Sequence, residues 1–228
     1  QIKYLLPDAK IQQDEICFVH KGLVPAETDH THQKLNLKNH FCLVDHDLKG
    51  APRGVISLLG VKYTTARHVA TKIVGLISRK CGRQLGSHRT EIKFKGDRNI
   101  IDFQSFIEEK SRNNQFNLEE ATVRHLALNF GRDYDSIEKL ISENIELRNR
   151  IPGSDEAIIA ELLFCVKNER VCRLSDLLIR RTDIGSLKKP KMETVEFCAS
   201  LLAKEMEWNE TRRSEEINAL NAFYDGMI

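Results

Sequence analysis

The spacing of apolar and polar positions changes near residue 82, and this change predicts two kinds of structure. Before it, short apolar or alternating runs at residues 15–21, 34–44 and 54–59 are separated by turns rich in glycine and proline, which is typical of β-strands. After it, apolar residues recur every three or four positions, which indicates amphipathic helices. The sequence therefore predicts an α+β fold, with a small β-strand region followed by a mainly α-helical domain.

The third predicted strand leads directly into a helix. Residues 54–59 are apolar on both faces, as expected for a buried central strand. They continue through Gly60 to Thr64 and Thr65, either of which can cap the following helix. A glycine turn that connects a strand to a helix is an arrangement at which ligands bind. The predicted core face of the helix consists of Val69, Ile73, Leu76 and Ile77.

The second half of the chain predicts a series of helices with clear ends. Asn117 is the predicted N-cap of a helix at residues 117–130, Gly131 is expected to end it, and Asn209 is expected to cap the last helix. Several of the helices carry apolar stripes that predict a common core. These stripes include Val123, Leu126, Ala127, Phe130, Ile137, Ile141, Ile159, Leu162, Leu163, Val195, Ala199, Leu202 and Leu220.

These patterns divide the 228 residues into three parts. Residues 1–82 are the strand region with one helix, residues 83–100 are a polar and basic linker, and residues 101–228 are an all-helical domain. Domains usually have about 100–200 residues, so the chain suffices for one large domain or two small ones. With 41% hydrophobic and 30% charged residues, the composition excludes a disordered chain.

Charge and cysteine content exclude several partners. The net charge of +2 is too small a surplus for a nucleic-acid-binding surface, so no nucleic-acid partner is predicted. The longest apolar stretch, residues 54–61, is far shorter than the roughly 20 residues that span a bilayer. The six cysteines show no CxxC spacing, and we expect free thiols of a cytoplasmic protein.

A histidine-rich stretch raises the question of a metal site. His30, His32, His40, Cys42 and His46, with aspartates among them, include ligand types for zinc or iron. Their spacing matches no ordered metal motif. An exposed, solvated loop is therefore favoured, and no metal site is predicted.

The segment at residues 60–67 is the main candidate binding site. The chain has neither GxGxxG nor GxxxxGK[ST], so it contains neither of these phosphate-binding loops. The segment offers a glycine, a cation, two hydroxyls and a helix N-terminus, which suit an anionic or heterocyclic ligand. The alternative is an ordinary capped helix with solvated charges. A second basic pair, Arg180 and Arg181, is expected to form ion pairs with Glu161 and Glu169 rather than to bind an anion.

Several segments together resemble one family. In the first part they are Gly22-Leu23-Val24-Pro25, Lys38-Asn39-His40 and Gly60-Val61-Lys62-Tyr63-Thr64-Thr65-Ala66-Arg67. In the second part they are His125-Leu126-Ala127-Leu128-Asn129-Phe130-Gly131, Ala160-Glu161-Leu162-Leu163, Asn168-Glu169-Arg170, Leu174-Ser175-Asp176-Leu177-Leu178-Ile179-Arg180-Arg181-Thr182 and Glu207-Trp208. The first set resembles the last part of the flavin domain of FAD-dependent, aerobic-type glycerol-3-phosphate dehydrogenases. The second set resembles the C-terminal helical domain of the same enzymes.

The resemblance implies that the chain is the C-terminal portion of such an enzyme and is inactive without its N-terminal FAD fold. The parent would oxidise sn-glycerol 3-phosphate to dihydroxyacetone phosphate and transfer electrons from FAD to a quinone or to oxygen. FAD is not expected in this portion alone. A homodimer and peripheral contact with the inner membrane are compatible with the resemblance.

The resemblance also implies roles for individual residues. The cofactor-binding residues would be Gly60, Val61, Lys62, Tyr63 and Thr64. Lys62 would also be the catalytic cation and would contact substrate. Lys38 would bind the substrate phosphate at a position where the family usually has an arginine.

Two departures from the family leave other functions open. Val24 stands where the family has an active-site arginine, and Val61 stands where it has a second glycine. Loss of an arginine weakens phosphate recognition, because arginine binds phosphate through two parallel hydrogen bonds. The alternatives are a flavin oxidoreductase with another substrate and a diverged, non-catalytic helical interaction module.

Overall fold

The computed structural model describes residues 15, 18–19, 22–29, 34–50, 52–60, 62–83 and 100–226. They belong to two compact units, which we call the strand unit (residues 21–92) and the helical unit (residues 1–20 and 93–228). The α+β class predicted from the sequence is confirmed. The strands are β1 (Ala26–Asp29), β2 (Lys34–Leu37), β3 (Cys42–Asp45) and β4 (Ile56–Leu59). The α-helices are α1 (Ala66–Lys80), α2 (Phe103–Arg112), α3 (Glu120–Phe130), α4 (Tyr134–Glu143), α5 (Ile159–Asn168), α6 (Met192–Glu205) and α7 (Glu210–Asp225).

The strand unit contains two small antiparallel sheets. β1 pairs with β2, and β3 pairs with β4, with Cys42 opposite Leu59. The single strand predicted at residues 34–44 is therefore wrong, because the chain leaves the first ladder after Leu37 and enters the second at Cys42. Of the strand predicted at residues 15–21, Phe18 and Val19 lie outside any strand, and most of the rest lies outside the described residues.

An ion-pair network ties the β3–β4 connection to α1. The connection is a 3₁₀ turn, His46–Lys49, that ends at Gly50 with a φ of 70°. The Asp47 carboxylate accepts a hydrogen bond of 2.8 Å from the Gly54 N–H. Lys80, the last residue of α1, lies 2.9 Å from the Asp45 carboxylate and also pairs with Asp47. These two aspartates, which were candidate metal ligands, are thus bound to an ammonium group.

β4 and α1 expose more apolar surface than the sequence predicts. The expectation of a buried central strand is wrong, because Leu58 is 43% and Leu59 is 48% exposed. On α1, Val69 is buried, but Ile77 is exposed and the rest of the predicted core stripe is only half-buried. The physical reason is that each described sheet has only two strands, and such a sheet provides little apolar surface to cover a helix face.

The main core lies in the helical unit. The stripes predicted on its helices meet in one cluster that includes Leu126, Ile137, Ile141, Leu162, Leu177, Leu178, Leu202 and Leu220. Phe18 joins this cluster from the start of the chain, with ring centroids 6.3 Å from Phe223 and 5.7 Å from Tyr224. Phe18 is consequently grouped with the helices. The domain bounds 1–82, 83–100 and 101–228 stay predictions. Most of the predicted linker 83–100 lies outside the described residues.

Helix ends confirm one of the predicted caps and contradict another. Asn209 caps α7 by accepting a hydrogen bond of 2.8 Å from the Arg212 N–H. Asn117 does not cap α3, which begins at Glu120 and has Glu119 at the N-cap position. Asn117 instead has a φ of 51°, within a turn that precedes the helix.

Among the described cysteines, Cys42, Cys81, Cys165, Cys172 and Cys198 are free thiols. Burial raises the pKa of Cys198 to about 12, so this thiol stays protonated at neutral pH. In the described part of the chain, no helix combines the length and the apolar character needed to cross a bilayer.

Candidate functional site

The strand unit contains an apolar cavity of about 600 Å³. The loop before β1, the end of β4 and the first turns of α1 form its wall. Its lining residues are Gly22, Leu23, Val24, Leu58, Gly60, Lys62, Tyr63, Ala66, Val69, Ala70 and Ile73. The cavity is mostly apolar, and Lys62 is the one cationic residue among the described residues that line it, which is the usual character of a site for an organic ligand.

Local backbone structure places Lys62 at this cavity. Lys62 is extended, with a φ of −136° and a ψ of 129°, and it precedes the 3₁₀ turn Tyr63–Thr65 that starts α1. The Thr65 hydroxyl donates a hydrogen bond of 3.0 Å to the Lys62 carbonyl. Thr65 therefore stabilises the turn. It occupies the N-cap position of α1, but its side chain makes no capping hydrogen bond, in contrast to the cap expected from the sequence. The first N–H groups of α1, with the positive end of the helix dipole, remain suited to a negatively charged ligand group.

Two glycines open the wall of the cavity. A Cβ atom built on either Gly22 or Gly60 would meet no other atom within 4 Å. Since neither glycine carries a Cβ atom, a ligand can approach the backbone closely at both positions. These glycines are 38 positions apart in the sequence, and the fold brings them to one cavity.

The structure brings together some of the predicted site residues. Gly60, Lys62 and Tyr63 line the cavity, and the Tyr63 side chain is fully exposed. Thr64 lies in the adjacent 3₁₀ turn but is not part of the lining. Val61 lies outside the described residues.

Lys38 lies elsewhere in the strand unit and is not among the residues that line the cavity. Its ammonium group pairs with the Glu27 carboxylate, and this hydrogen bond raises the pKa of Lys38. A phosphate at this position would compete with Glu27 for the ammonium. The predicted role of Lys38 in substrate binding stays a prediction.

Sequence reasoning missed several residues that line the cavity. Ala66 and Ala70 are one turn apart and leave room beside the buried Val69. Val24 faces the same space, although the resemblance drew attention to it only as a lost arginine. Small residues four positions apart at the start of a helix were the signal in the sequence that could have indicated this wall.

The second basic cluster is mostly paired, in part as predicted. The Arg181 Nε donates a hydrogen bond of 2.8 Å to the Glu169 carbonyl and lies 3.8 Å from its carboxylate. Arg180 binds Asp176 at 2.7 Å. The expected pairing with Glu161 is wrong, because that carboxylate is bound by His125 inside the helical unit.

Comparison with known families then decides the assignment. A family model for the C-terminal domain of alpha-glycerophosphate oxidase matches residues 88–213, which is more than half of the chain. The chain belongs to this family. The match covers most of the helical unit, and it confirms the resemblance stated for the helical segments.

Relatives of this alpha-glycerophosphate oxidase family member extend the similarity into the strand unit. A probable mitochondrial glycerol-3-phosphate dehydrogenase of Dictyostelium discoideum is 26% identical over 94% of this chain and 34% of its own length. Aerobic glycerol-3-phosphate dehydrogenases of Staphylococcus saprophyticus and Staphylococcus haemolyticus are each 25% identical over 88% of this chain and 37% of their own length. The chain thus spans about a third of the length of these relatives.

Proposed function

We propose that the chain is the C-terminal part of an FAD-dependent glycerol-3-phosphate dehydrogenase and contributes one wall of its flavin and substrate site. The observation that carries the proposal is the convergence of Gly22, Gly60 and Lys62 on one apolar cavity, in a chain whose relatives are named glycerol-3-phosphate dehydrogenases. This chain alone is expected to be inactive, since it has no dinucleotide-binding loop of its own.

The residues at the cavity fit one part of FAD, the flat heterocyclic ring. The exposed backbone at Gly22 and Gly60 permits close approach of a planar group, and the side chains of Leu58 and Ile73 offer it an apolar face. When bound, FAD would supply the acceptor for the hydride that leaves C2 of glycerol 3-phosphate. The adenine nucleotide half would be held by the remainder of the parent enzyme.

Lys62 is the residue to which we assign the catalytic role. Its ammonium is the cation of the cavity lining, where it would attract the substrate phosphate or stabilise negative charge that develops on the flavin ring. Val24 lines the same cavity and provides no charge where the family has an arginine. Phosphate recognition would therefore rest on Lys62, on the N-terminus of α1 and on Lys38, if Lys38 exchanges Glu27 for the substrate.

Other features of the parent follow from the same proposal. The electron acceptor would be a quinone or oxygen, and the enzyme would function in the cytoplasm or bound peripherally at the inner membrane. A homodimer is compatible with this assignment. These properties concern the whole parent enzyme, of which the chain is about a third.

The visible absorption spectrum of the protein produced from its complete reading frame tests the proposal. We expect a flavin spectrum that bleaches when glycerol 3-phosphate is added without oxygen. A flavin spectrum that is indifferent to this substrate would favour an oxidoreductase acting on another alcohol or amine. A colourless protein would contradict the proposal and favour the helical interaction module.

Two variants of the same full-length protein test the roles of Lys62 and Val24 in the cavity. Lys62→Met should retain the flavin but bleach about a hundredfold more slowly, a typical cost of removing one electrostatic contact to the transition state. The matched control is Lys72→Met, because Lys72 is exposed on α1 and does not line the cavity. Val24→Arg should lower the glycerol 3-phosphate concentration for half-maximal bleaching by about tenfold, through charge-assisted hydrogen bonds to phosphate. Equal rates in the two lysine variants would contradict the role of Lys62.

A further inference from the structure

The turn before α1 sets the direction in which the Lys62 side chain leaves the backbone. The Lys62 carbonyl belongs to the planar peptide unit that joins Lys62 to Tyr63. One rotation, the ψ of 129° at Lys62, lies between this plane and the Lys62 Cα–Cβ bond. Because the nearby strand β4 anchors the chain on the other side of Lys62, a carbonyl that is held in place leaves this rotation little freedom. The start of the lysine side chain is then held as well.

Thr65 holds this carbonyl through two hydrogen bonds. The Thr65 N–H donates to the Lys62 carbonyl at 3.3 Å, and the Thr65 hydroxyl donates to the same oxygen at 3.0 Å. The hydroxyl bond lies within the usual range of distances, whereas the N–H bond is slightly longer than usual. The hydroxyl therefore provides the better of the two contacts.

The Thr65 hydroxyl acts on Lys62 rather than on α1. A threonine at the N-cap position usually accepts a hydrogen bond from an N–H in the first turn of the helix. In the described part of the chain, Thr65 accepts no such bond, and the bond that its hydroxyl donates goes to the residue before the turn. The helix thus begins without help from this side chain.

The position of the Lys62 ammonium depends on the backbone, because no carboxylate holds it. Lys38 pairs with Glu27, and Lys80 pairs with Asp45. Lys62 has no such ion pair with any of the described residues. A lysine side chain is a flexible four-carbon stem, so the place of its charge is determined first by where the stem begins.

We propose that Thr65 is a positioning residue, whose hydroxyl directs the Lys62 ammonium into the cavity. This inference rests on the proposed function, in which Lys62 acts on the substrate or on the flavin. The cavity wall is mostly apolar, so the interaction of the ammonium with a negative charge is strong there and depends steeply on distance. A displacement of about 1 Å can lower a reaction rate by about a hundredfold.

The rate of flavin bleaching in the full-length protein tests the role of the hydroxyl. Thr65→Val has nearly the same shape as wild type but lacks the hydroxyl. It should retain the flavin and bleach about tenfold more slowly with glycerol 3-phosphate in the absence of oxygen, which is the effect of one lost hydrogen bond. Thr65→Ser keeps the hydroxyl and should bleach at about the wild-type rate. A wild-type rate in Thr65→Val, or an equally slow rate in Thr65→Ser, would overturn the proposal.

Thr71→Val is the matched control. The Thr71 hydroxyl donates a hydrogen bond of 3.0 Å to the Arg67 carbonyl, so it makes the same kind of contact on the same helix. Thr71 is exposed and does not line the cavity. Its loss should leave the bleaching rate unchanged, and a rate as slow as that of Thr65→Val would contradict a special role of Thr65.

A double variant shows whether Thr65 acts through Lys62. If it does, Lys62→Met, Thr65→Val should bleach no more slowly than Lys62→Met alone, because the hydroxyl then has no ammonium to position. A further tenfold loss would mean that Thr65 acts independently of Lys62, and it would overturn the proposal. If Thr65→Val does not retain its flavin, Thr65→Ala, which also lacks the hydroxyl, takes its place in both comparisons.

Relaxation of ¹⁵N nuclei in the 228-residue chain tests the link between the hydroxyl and Lys62 without a flavin. The Tyr63 N–H lies in the same peptide plane as the Lys62 carbonyl. Its order parameter should be about 0.85 in wild type and in Thr65→Ser, and below about 0.6 in Thr65→Val. Thr71→Val should leave it unchanged. Equal order parameters in wild type and Thr65→Val would also overturn the proposal.

The proposed function and the role of Thr65 would fail in different ways. A full-length wild type that is colourless, or whose flavin does not respond to glycerol 3-phosphate, would contradict the proposed function, and the role of Thr65 in that reaction would fail with it. A wild type that bleaches, with Lys62→Met slow and Thr65→Val unchanged, would contradict the role of Thr65 alone.

Discussion

His125 shows how the surroundings of one residue determine its protonation. Burial alone would lower the pKa of this imidazole, but the hydrogen bond to Glu161 and the charges of Glu161, Asp183 and Glu156 outweigh burial and raise the pKa. Burial also raises the pKa of Glu161, although the hydrogen bond and charge of His125 oppose this effect. The pair therefore retains a proton to higher pH than the isolated groups would.

The raised pKa of His125 predicts a pH dependence of stability. Because the folded protein binds this proton more tightly than the unfolded chain does, the stabilisation is complete below about pH 6.5 and is lost as the pH rises through the folded-state pKa. Urea unfolding followed by fluorescence of Trp208, the only tryptophan, should thus give a lower free energy of unfolding at pH 9 than at pH 6. His125→Gln should reduce this decrease. An equal decrease in wild type and variant would contradict the role of His125.

At the scale of single residues, spacing along the chain predicted local pairs better than distant ones. Glu169 precedes the π-helical segment Asp176–Arg181 and Arg181 ends it, and their pairing was predicted correctly. His125 and Glu161 are 36 positions apart and meet only because α3 packs beside α5. This buried pair was therefore not predictable from sequence, whereas the position of Lys62 in a strand-to-helix connection was. The role of Lys62 in binding and catalysis stays a prediction.

At the scale of elements, the π-helical segment is held by the last helix. The Tyr224 hydroxyl of α7 donates a buried hydrogen bond of 2.6 Å to the carbonyl of Gly185, four residues after the segment. The Gly185 N–H in turn donates to the Leu178 carbonyl at 2.8 Å. Gly185 thus links the segment to α7 through two hydrogen bonds, and there is no space for a side chain at this position.

Gly185→Ala should destabilise the helical unit. The new Cβ atom would lie 2.9 Å from the Leu178 carbonyl oxygen and would also clash with the Tyr224 hydroxyl, and we expect a cost of about 2 kcal/mol. Urea unfolding monitored by Trp208 measures this cost, which should be smaller in a Tyr224→Phe background because one of the two clashes is absent.

Gly75→Ala is the matched control for this prediction. Gly75 lies within α1, where an added Cβ atom would meet no other atom within 4 Å. Because alanine favours a helix more than glycine does, this change should stabilise α1 by about 1 kcal/mol, measured by hydrogen exchange of the α1 amides. If both Gly185→Ala and Gly75→Ala destabilise the protein, close packing at Gly185 is not the cause of the destabilisation by Gly185→Ala.

Periodicity predicted helices more accurately than strands. A helical stripe extends over many residues, so Val123, Leu126 and Ile137 were assigned correctly to the core. In residues 34–44, the three polar residues Lys38, Asn39 and His40 interrupt the apolar pattern, and reading across this interruption predicted one strand where there are two. The Asn117 cap failed for a related reason, because cap residues are also turn residues and the sequence does not say which role they take.

At the scale of the whole molecule, the exposed apolar surface is concentrated in the strand unit. Leu23 and Tyr63 are fully exposed, and Leu58 and Leu59 are nearly half-exposed on the short strand β4. Such surface on a strand favours association with another chain. It also agrees with the proposal that this unit is one wall of a larger flavin domain.

Removing part of this surface should reduce self-association of the 228-residue chain. Leu58→Thr, Leu59→Thr introduces β-branched strand formers while it decreases the apolar area of β4. Sedimentation velocity should show a smaller associated fraction than for wild type at equal concentration. Ile145→Thr, which changes an exposed apolar residue of the helical unit, should leave the associated fraction unchanged. A reduction by Ile145→Thr alone would indicate that association occurs through the helical unit.

The contact of Phe18 with Phe223 and Tyr224 has a consequence for the order of events during synthesis. The strand unit lies between Phe18 and the helices in the chain, so it emerges from the ribosome as a continuous segment with local strand pairings and can fold early. The segment around Phe18 emerges even earlier, yet its aromatic partners lie near the end of α7, which is made after the other helices of the unit. Completion of the helical unit must therefore await the synthesis of α7.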